Sequence, residues 1–248
     1  MCPAKLPGHH YVRGSVPNYV SKALRYCCRF TTQDCGYAAN RDSRHSQFTN
    51  FERACRFILP CQPCPADRPP SGPDWQHEIK WDGYRVIARK DGKQVRLWAR
   101  TTSDYSRAFT RIRDAVATLP VDSAVLDGEA ILLRPDNTSD FEGLRSRQGQ
   151  AEAILVAYDT MEANGQDVRP EPLEERRKRL ARLLSRSNKA LRDGIQLSEA
   201  ITGDGAAIFR HACWMDLEGI VSKRIGSRYV SGRTRAWLKT KNPDFERR

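Results

Sequence analysis

The sequence has no apolar run long enough to cross a membrane. Its longest uncharged apolar stretch, Ala153 to Ala157, falls far short of the ~20 residues that a spanning helix needs. Nor does a hydrophobic leader follow Met1, where Arg13, Lys22 and Arg25 interrupt the apolar clusters. Cysteine is scarce in the body of the chain: seven of the eight lie at or before Cys64 and only Cys213 follows. That distribution excludes a disulfide-dense secreted scaffold, and the expectation is a soluble cytoplasmic protein with no membrane partner. Acidic residues are the minority charge, 30 Asp+Glu against 42 Lys+Arg, for a net charge of +12. Such an excess favours polyanionic partners, nucleotide or nucleic acid, and says nothing about fold.

What is present is unevenly spread. Residues 1–73 hold ten Lys/Arg and four Asp/Glu, so half of the net charge sits in less than a third of the 248 residues. No apolar periodicity longer than a turn or two precedes Phe57, and residues 1–55 read as a poorly ordered, basic, cysteine-rich arm. Residues 56–73 follow as an extended lead-in, because Pro60, Pro63, Pro65, Pro69, Pro70 and Pro73 each fix their own φ and turn the preceding residue away from helix. Residues 74–248 have the texture of one folded α+β domain. His77 to Ala88 and Gln94 to Ala99 predict two strands joined by an Asp91-Gly92 turn. Phe109, Ile112, Val116 and Leu119 predict a helix over Tyr105 to Leu119, stopped by Pro120. Ala124 to Leu133 and Ala153 to Tyr158 predict strands, the second ending near an Asn164-Gly165 turn. Pro172 to Ser185 predicts an amphipathic helix with Leu173, Leu180, Leu183 and Leu184 on one side and Arg176, Arg177, Arg179 and Arg182 on a solvated face. Gly219 to Arg224 and Ala236 to Lys241 predict closing strands.

The polar residues that interrupt these apolar strands carry the chemistry. Strand alternation puts Glu78 and Lys80 on one face and Ile79 and Trp81 on the other, beside the turn-forming pair Asp82-Gly83. Further interruptions are Asp127 with Glu129, Glu218 just before Ile220-Val221, and Lys239 with Lys241 around Thr240. Carboxylates hold Mg²⁺ and lysines neutralise phosphate oxygens, so carboxylates and lysines converging from several strands suggest a site for a metal-bound phosphate.

In order, these interruptions resemble the signatures of the covalent nucleotidyltransferases, the superfamily of ATP-dependent DNA ligases, RNA ligases and mRNA capping enzymes. Lys80-Trp81-Asp82-Gly83-Tyr84-Arg85 is similar to its KxDG-x-R motif and Leu126-Asp127-Gly128-Glu129 to its second signature. Ala157-Tyr158-Asp159, Glu218-Gly219-Ile220-Val221-Ser222-Lys223 and Trp237-Leu238-Lys239-Thr240-Lys241 match the remaining three. Flanking text around Asp67 to Trp75, Pro172 to Arg177 and Arg228 to Arg233 resembles the ligase module of the bacterial end-joining ligases D and C, with the likeness running from Phe57 to Phe245. The resemblance implies an α+β, ATP-grasp-like domain of two mostly antiparallel sheets with flanking helices and the nucleotide between them. It implies that Lys80 takes AMP from ATP as a lysyl-AMP, that the AMP passes to a DNA 5′-phosphate, and that the nick is then sealed. A lysine of ordinary pKa ~10.4 is neutral in only about one molecule in 2,500 at pH 7, so such chemistry needs cationic neighbours and a metal; Arg85, Lys223, Lys239 and Lys241 supply the cations. The match assigns Arg85 and Glu129 to the ribose, Tyr158 to stacking on adenine, the backbone at Glu78 and Ile79 to the adenine edge, and Lys223, Lys239 and Lys241 to the α-phosphate. Mg²⁺, or Mn²⁺, falls to Glu129 and Glu218. Arg100 occupies the place of a family arginine that touches ribose or DNA, although Thr101 and Thr102 replace the family's Asn-Gly turn.

Family ligases continue into an OB-fold, for which Arg248 leaves no room after Lys241, so the expectation is an adenylation domain without an OB-fold. Expected partners are DNA with nicks or ends, an end-binding repair protein and a separate OB-fold chain, with the protein associated with the nucleoid when on DNA. Two other readings stay open at this point: an RNA ligase or capping-type enzyme, and a catalytically weak remnant that binds nucleotide, DNA or a partner. Cys61-x-x-Cys64 with Cys55, Cys35, Cys27-Cys28 and His9-His10 raises a zinc site, but the second close-spaced pair that structural zinc requires is missing.

Overall fold

The computed structural model describes residues 57–185 and 188–247. The arm assigned to residues 1–55, with its cysteines and histidines, lies outside the described residues. In chain order the elements are β1 (Cys61–Pro65), β2 (Trp75–Ile79), β3 (Tyr84–Asp91), β4 (Gln94–Ala99), α1 (Thr110–Ala117), β5 (Ser123–Ile131), α2 (Phe141–Leu144), α3 (Arg147–Glu152), β6 (Ile154–Ala163), β7 (Gln166–Asp167), α4 (Leu173–Ser185), α5 (Lys189–Gly194), β8 (Ile195–Leu197), β9 (Ile201–Thr202), α6 (Gly205–Trp214), β10 (Gly219–Arg224) and β11 (Gly232–Lys241). They form one sheet of order β1-β11-β10-β2-β9 and another of order β4-β3-β5-β6-β7, with β8 alongside β6. Among the described residues only β1 with β11 and β6 with β8 run parallel. The fold is α+β, with two mostly antiparallel sheets, flanking helices and no closed barrel among the described residues.

Alternation along the strands sorts the core. On β3, Ile87 joins Val125, Met161, Leu173, Tyr229 and Trp237 in a cluster that both sheets share. Its neighbours Val86 and Ala88 instead join Ile112, Val116, Leu180, Leu183 and Leu191, which α1, α4 and α5 lay on the other face of the second sheet. α6 covers the first sheet through Ala212, next to Leu217 and Ile220. Each large aliphatic side chain so buried contributes about 1.5–3 kcal/mol, which fixes both sheets in place around the space between them.

The stretch His77 to Ala88 is not one strand. It breaks at residues 80–83, and its halves enter different sheets: β2 pairs with β10, and β3 with β4 and β5. Gly83 permits the crossing, because a Cβ there would lie 2.2 Å from the Ala130 carbonyl oxygen. The Asp91-Gly92 turn forms as expected, with Asp91 opposite Gln94 and Gly92 at φ +54°. The helix expected from Tyr105 starts only at Thr110, since residues 105–109 make a tight turn in which Phe109 N–H donates to the Tyr105 carbonyl (3.0 Å). β6 runs past Tyr158 to Ala163 and turns through Asn164 and Gly165, at φ +50° and +78°, into β7. The start of the proline-rich stretch is β1, an edge strand where the missing N–H groups of Pro63 and Pro65 cost little. Arg176 and Arg177 are buried rather than solvated. No helix among the described residues is long and apolar enough to cross a membrane.

Candidate functional site

Where β2 hands the chain to β3, a cavity of about 540 Å³ opens between the sheets. The first sheet lines it with Glu78, Ile79, Lys223, Trp237 and Lys239, and the second with Arg85, Glu129 and Tyr158. Lys80 projects from the crossing itself, and Arg100 sits on the wall just after β4. Register explains the convergence: Glu78, Val221 and Lys239 lie side by side across β2, β10 and β11, while Arg85 lies opposite Glu129 on β3 and β5. β9 pairs only with Gln76 and His77, so among the described residues the Glu78-Ile79 edge of β2 carries no strand on that side. Nine of the eleven residues singled out from the sequence therefore line one cavity; Glu218 and Lys241 stand beside it.

The inner end is aromatic, and Lys223, Glu78, Arg85 and Asp127 there stand in ion pairs. Lys223 Nζ lies 4.6 Å from the Tyr158 ring and 4.3 Å from the Trp237 ring, and 2.7 Å from the Glu78 carboxylate. Glu78 also accepts from Arg177 (3.0 Å) and Ser198 Oγ (2.8 Å). Burial pushes the Lys223 pKa down, reinforced by Arg177 and opposed by Glu78. Below Tyr158, Arg85 donates twice to Asp127 (3.0 and 2.7 Å), which also accepts from the Tyr229 hydroxyl (2.5 Å). Directly opposite Asp127, on β6, Asp159 accepts twice from Arg176 (2.7 and 2.6 Å). Buried ions need partners of this quality, because an isolated one costs several kcal/mol.

Toward the mouth the charges are cationic. Lys80 and Lys241 both hold Glu218, from opposite sides. Glu218 is placed by Gly219, at φ +136°, where a Cβ would lie 2.1 Å from the Thr240 carbonyl oxygen. The Lys239 pKa is lowered by desolvation and by its cationic neighbours Lys80, Lys241 and Arg233. Burial pushes the Glu129 carboxyl up to about 7 against the pull of Arg85 and Lys80, with Asp127 and Glu218 adding to the rise. The arrangement as a whole suits a flat base at the aromatic end and phosphates at the cationic end. No group of three or more His, Cys, Asp or Glu side chains among the described residues could hold a metal ion. Two carboxylates, Glu129 and Glu218, suit a hard cation that brings most of its ligands as phosphate and water oxygens. Cys61 is buried in β1, where desolvation pushes its thiol up to about 12.

The sequence reading passed over Arg177, Ser198 and Trp237 as site residues. A signal existed for the arginines: Arg176 and Arg177 stand three and four residues after Leu173 and before Leu180, the spacing of a buried helical face. Trp237 stood inside the final motif but only its lysines were weighed.

Residues 64–241 match the family model of the ATP dependent DNA ligase domain. Over 178 residues the chain is 35% identical to the multifunctional non-homologous end joining protein LigD of Pseudomonas aeruginosa, covering 71% of this chain and 21% of that one. It is 32% identical over 174 residues to the SPbeta prophage-derived DNA ligase-like protein LigB of Bacillus subtilis, 68% of this chain and 61% of that one. Its fold matches the ligase domain of Mycobacterium tuberculosis LigD with a TM-score of 0.64 at 29% identity, covering 74% of this chain and 60% of that one. A mycobacterial DNA ligase D solved with ATP matches equally, at 0.64 and 28% identity over 74% and 60%. The chain spans about a fifth of the length of the LigD relatives that it matches.

Proposed function

The chain belongs to the ATP-dependent DNA ligase domain family, and we propose that it is an adenylation unit in which Lys80 Nζ attacks the α-phosphate of ATP. A P–N bond to Lys80 forms as the α–β phosphoanhydride breaks, and pyrophosphate leaves. The AMP then passes to the 5′-phosphate of a DNA nick, freeing Lys80, and the neighbouring 3′-hydroxyl displaces AMP to close the strand. The observation that carries this reading is the position of Lys80: it stands at the crossing between the sheets, with an aromatic floor on one side and a cationic mouth on the other.

The other roles follow from placement. Tyr158, already part of an aromatic end with Trp237, stacks on adenine, whose edge meets the side of β2 at Glu78 and Ile79 that β9 leaves open. Arg85 and Glu129, opposite each other, take the ribose. Lys223, Lys239 and Lys241 face the α-phosphate, and Arg100 the ribose or DNA. Glu129 and Glu218 would hold Mg²⁺ or Mn²⁺, which when bound neutralises phosphate charge. Attack requires the neutral amine and hence release of the Lys80–Glu218 ion pair; a cation held by Glu218 would compete with Lys80 for that carboxylate. The kinship with LigD supports nicked or broken DNA as substrate in end-joining repair; an end-binding repair protein and a separate OB-fold chain are the partners we infer, with an intracellular, DNA-associated place of action.

Incubation with α-labelled ATP, Mg²⁺ and a nicked duplex tests the function. Label passing first to protein and then to the 5′ end, followed by a sealed strand, is the expected course. Sealing of a pre-adenylated nick without protein labelling would place the first step elsewhere, and labelling by GTP but not ATP would contradict the reading.

A further inference from the structure

The family match stops at Lys241, yet the residues beyond it return to the cavity. Asn242 turns the tail, its N–H donating to the Glu218 carbonyl (3.0 Å) and its side-chain amide to the Leu217 carbonyl (3.2 Å). Arg247 is thereby brought onto the cavity wall. Its guanidinium meets Asp82 in a two-pronged ion pair, with Nε 2.8 Å from Oδ2 and Nη2 on Oδ1, and it lies 4.1 Å over the Phe141 ring. Asp82 is itself 4% exposed and stands two residues after Lys80. The fork and the ring fix the guanidinium plane relative to the loop that carries Lys80. Nε and Nη2 are used by Asp82, so the Nη1 edge of the fork remains for a further acceptor.

The position along the cavity decides what that acceptor is. Charged neighbours of Tyr158 at the inner end are Lys223, Arg85, Asp127, Glu129 and Glu78, whereas the charged and phenolic neighbours of Arg247 are Asp82, Glu218 and Tyr84. Lys80 lies between these sets, joined to the second through Glu218. A nucleotide with its base at Tyr158 and its α-phosphate at Lys80 therefore extends its remaining phosphates toward Arg247. We propose that Arg247, held by Asp82 and Phe141, is a binding residue for the β- and γ-phosphates of ATP, supplied from the tail of this same chain. This deepens the adenylation reading and rests on it. The proposal also gives Asp82 a task, that of orienting a cation, which its burial otherwise leaves unexplained.

The test compares ATP and AMP affinity by titration calorimetry, in the full chain and in Arg247→Ala, with a nicked duplex as a third ligand. Loss of one charge-assisted contact predicts about tenfold weaker ATP binding, with AMP and nicked-duplex affinity each moving less than about twofold. Asp82→Asn, which frees the guanidinium without removing it, is expected to show the same ATP-selective loss in smaller degree. Equal loss for ATP and AMP would make Arg247 a structural residue and overturn the proposal. Unchanged ATP affinity with weakened duplex binding would overturn it too, assigning the cation to a DNA phosphate. A wild-type chain that binds neither nucleotide would sink the adenylation reading and this inference together, whereas ATP and AMP binding with unaltered ATP affinity in the variant would sink this inference alone.

Discussion

Asp159 and Arg176 show how much of the site depends on residues that never touch its contents. Both side chains are fully buried and make two hydrogen bonds to each other, with Asp159 directly opposite the Asp127 that holds the cavity-lining Arg85. Asp159→Ala leaves a buried guanidinium without its carboxylate, and urea denaturation should find the variant about 3–5 kcal/mol less stable. Removing the exposed Arg145–Glu142 pair by Arg145→Ala should change stability by only about 0–0.5 kcal/mol in the same experiment. Glu129 adds a dependence on pH. Its carboxyl is held up at about 7, above the ordinary 4.5, so between those values the folded chain keeps a proton that the unfolded chain has lost. Stability from this group is full below about pH 4.5 and is lost as pH rises through 7. Urea midpoints of the nucleotide-free protein at about pH 5 and about pH 8 should therefore differ less in Glu129→Gln than in the parent. An identical difference in the two proteins would show that Glu129 does not titrate there.

At the scale of elements, the site is a consequence of one strand break. β2 and β3 would form a single strand if residues 80–83 stayed extended, and Lys80 would then be one more side chain on a sheet face. Gly83→Ala sets a Cβ against the Ala130 carbonyl and should cost about 1–3 kcal/mol, more if the backbone cannot shift. Because the same backbone carries Lys80, ATP-dependent labelling of this variant should fall by more than its loss of folded protein; labelling in proportion to folded protein would contradict that link. The break was only half legible in the sequence. Asp82-Gly83 reads as a turn, but the apolar text on either side is continuous, and nothing local says that its halves belong to different sheets. Hairpins at Asp91-Gly92 and Asn164-Gly165 were legible because their dihedral demands are local. The burial of Arg176 and Arg177 was legible only in their spacing from Leu173 and Leu180, since a run of arginines looks solvated until the carboxylates of Asp159 and Glu78 arrive from other elements. α6 was missed although Asp204 caps it through Ala206 and Ala207, because its exposed side carries Trp214 and Met215 and blurs the two-faced pattern. Of the site, the residues within motifs could be read in order along the chain, whereas Arg177, Ser198 and Arg247 enter only through tertiary placement.

For the whole molecule, two sheets, each stabilised on its outer side by helices, are free to leave polar and aromatic residues on the faces between them. That division of labour lets Glu78, Lys223, Arg85 and Glu129 line the space between the sheets without loosening the core. It also makes Lys80, on the segment that joins the sheets, the group that both halves position. The central claim is that this lysine carries AMP covalently. The direct measurement is incubation of the full chain with α-labelled ATP and Mg²⁺, a denaturing gel, and the same with Lys80→Ala. The account predicts a labelled band that resists denaturation, is lost when pyrophosphate is added, and is absent in Lys80→Ala while the variant still binds AMP. A band of undiminished strength in Lys80→Ala would place the covalent bond on another residue and contradict the account.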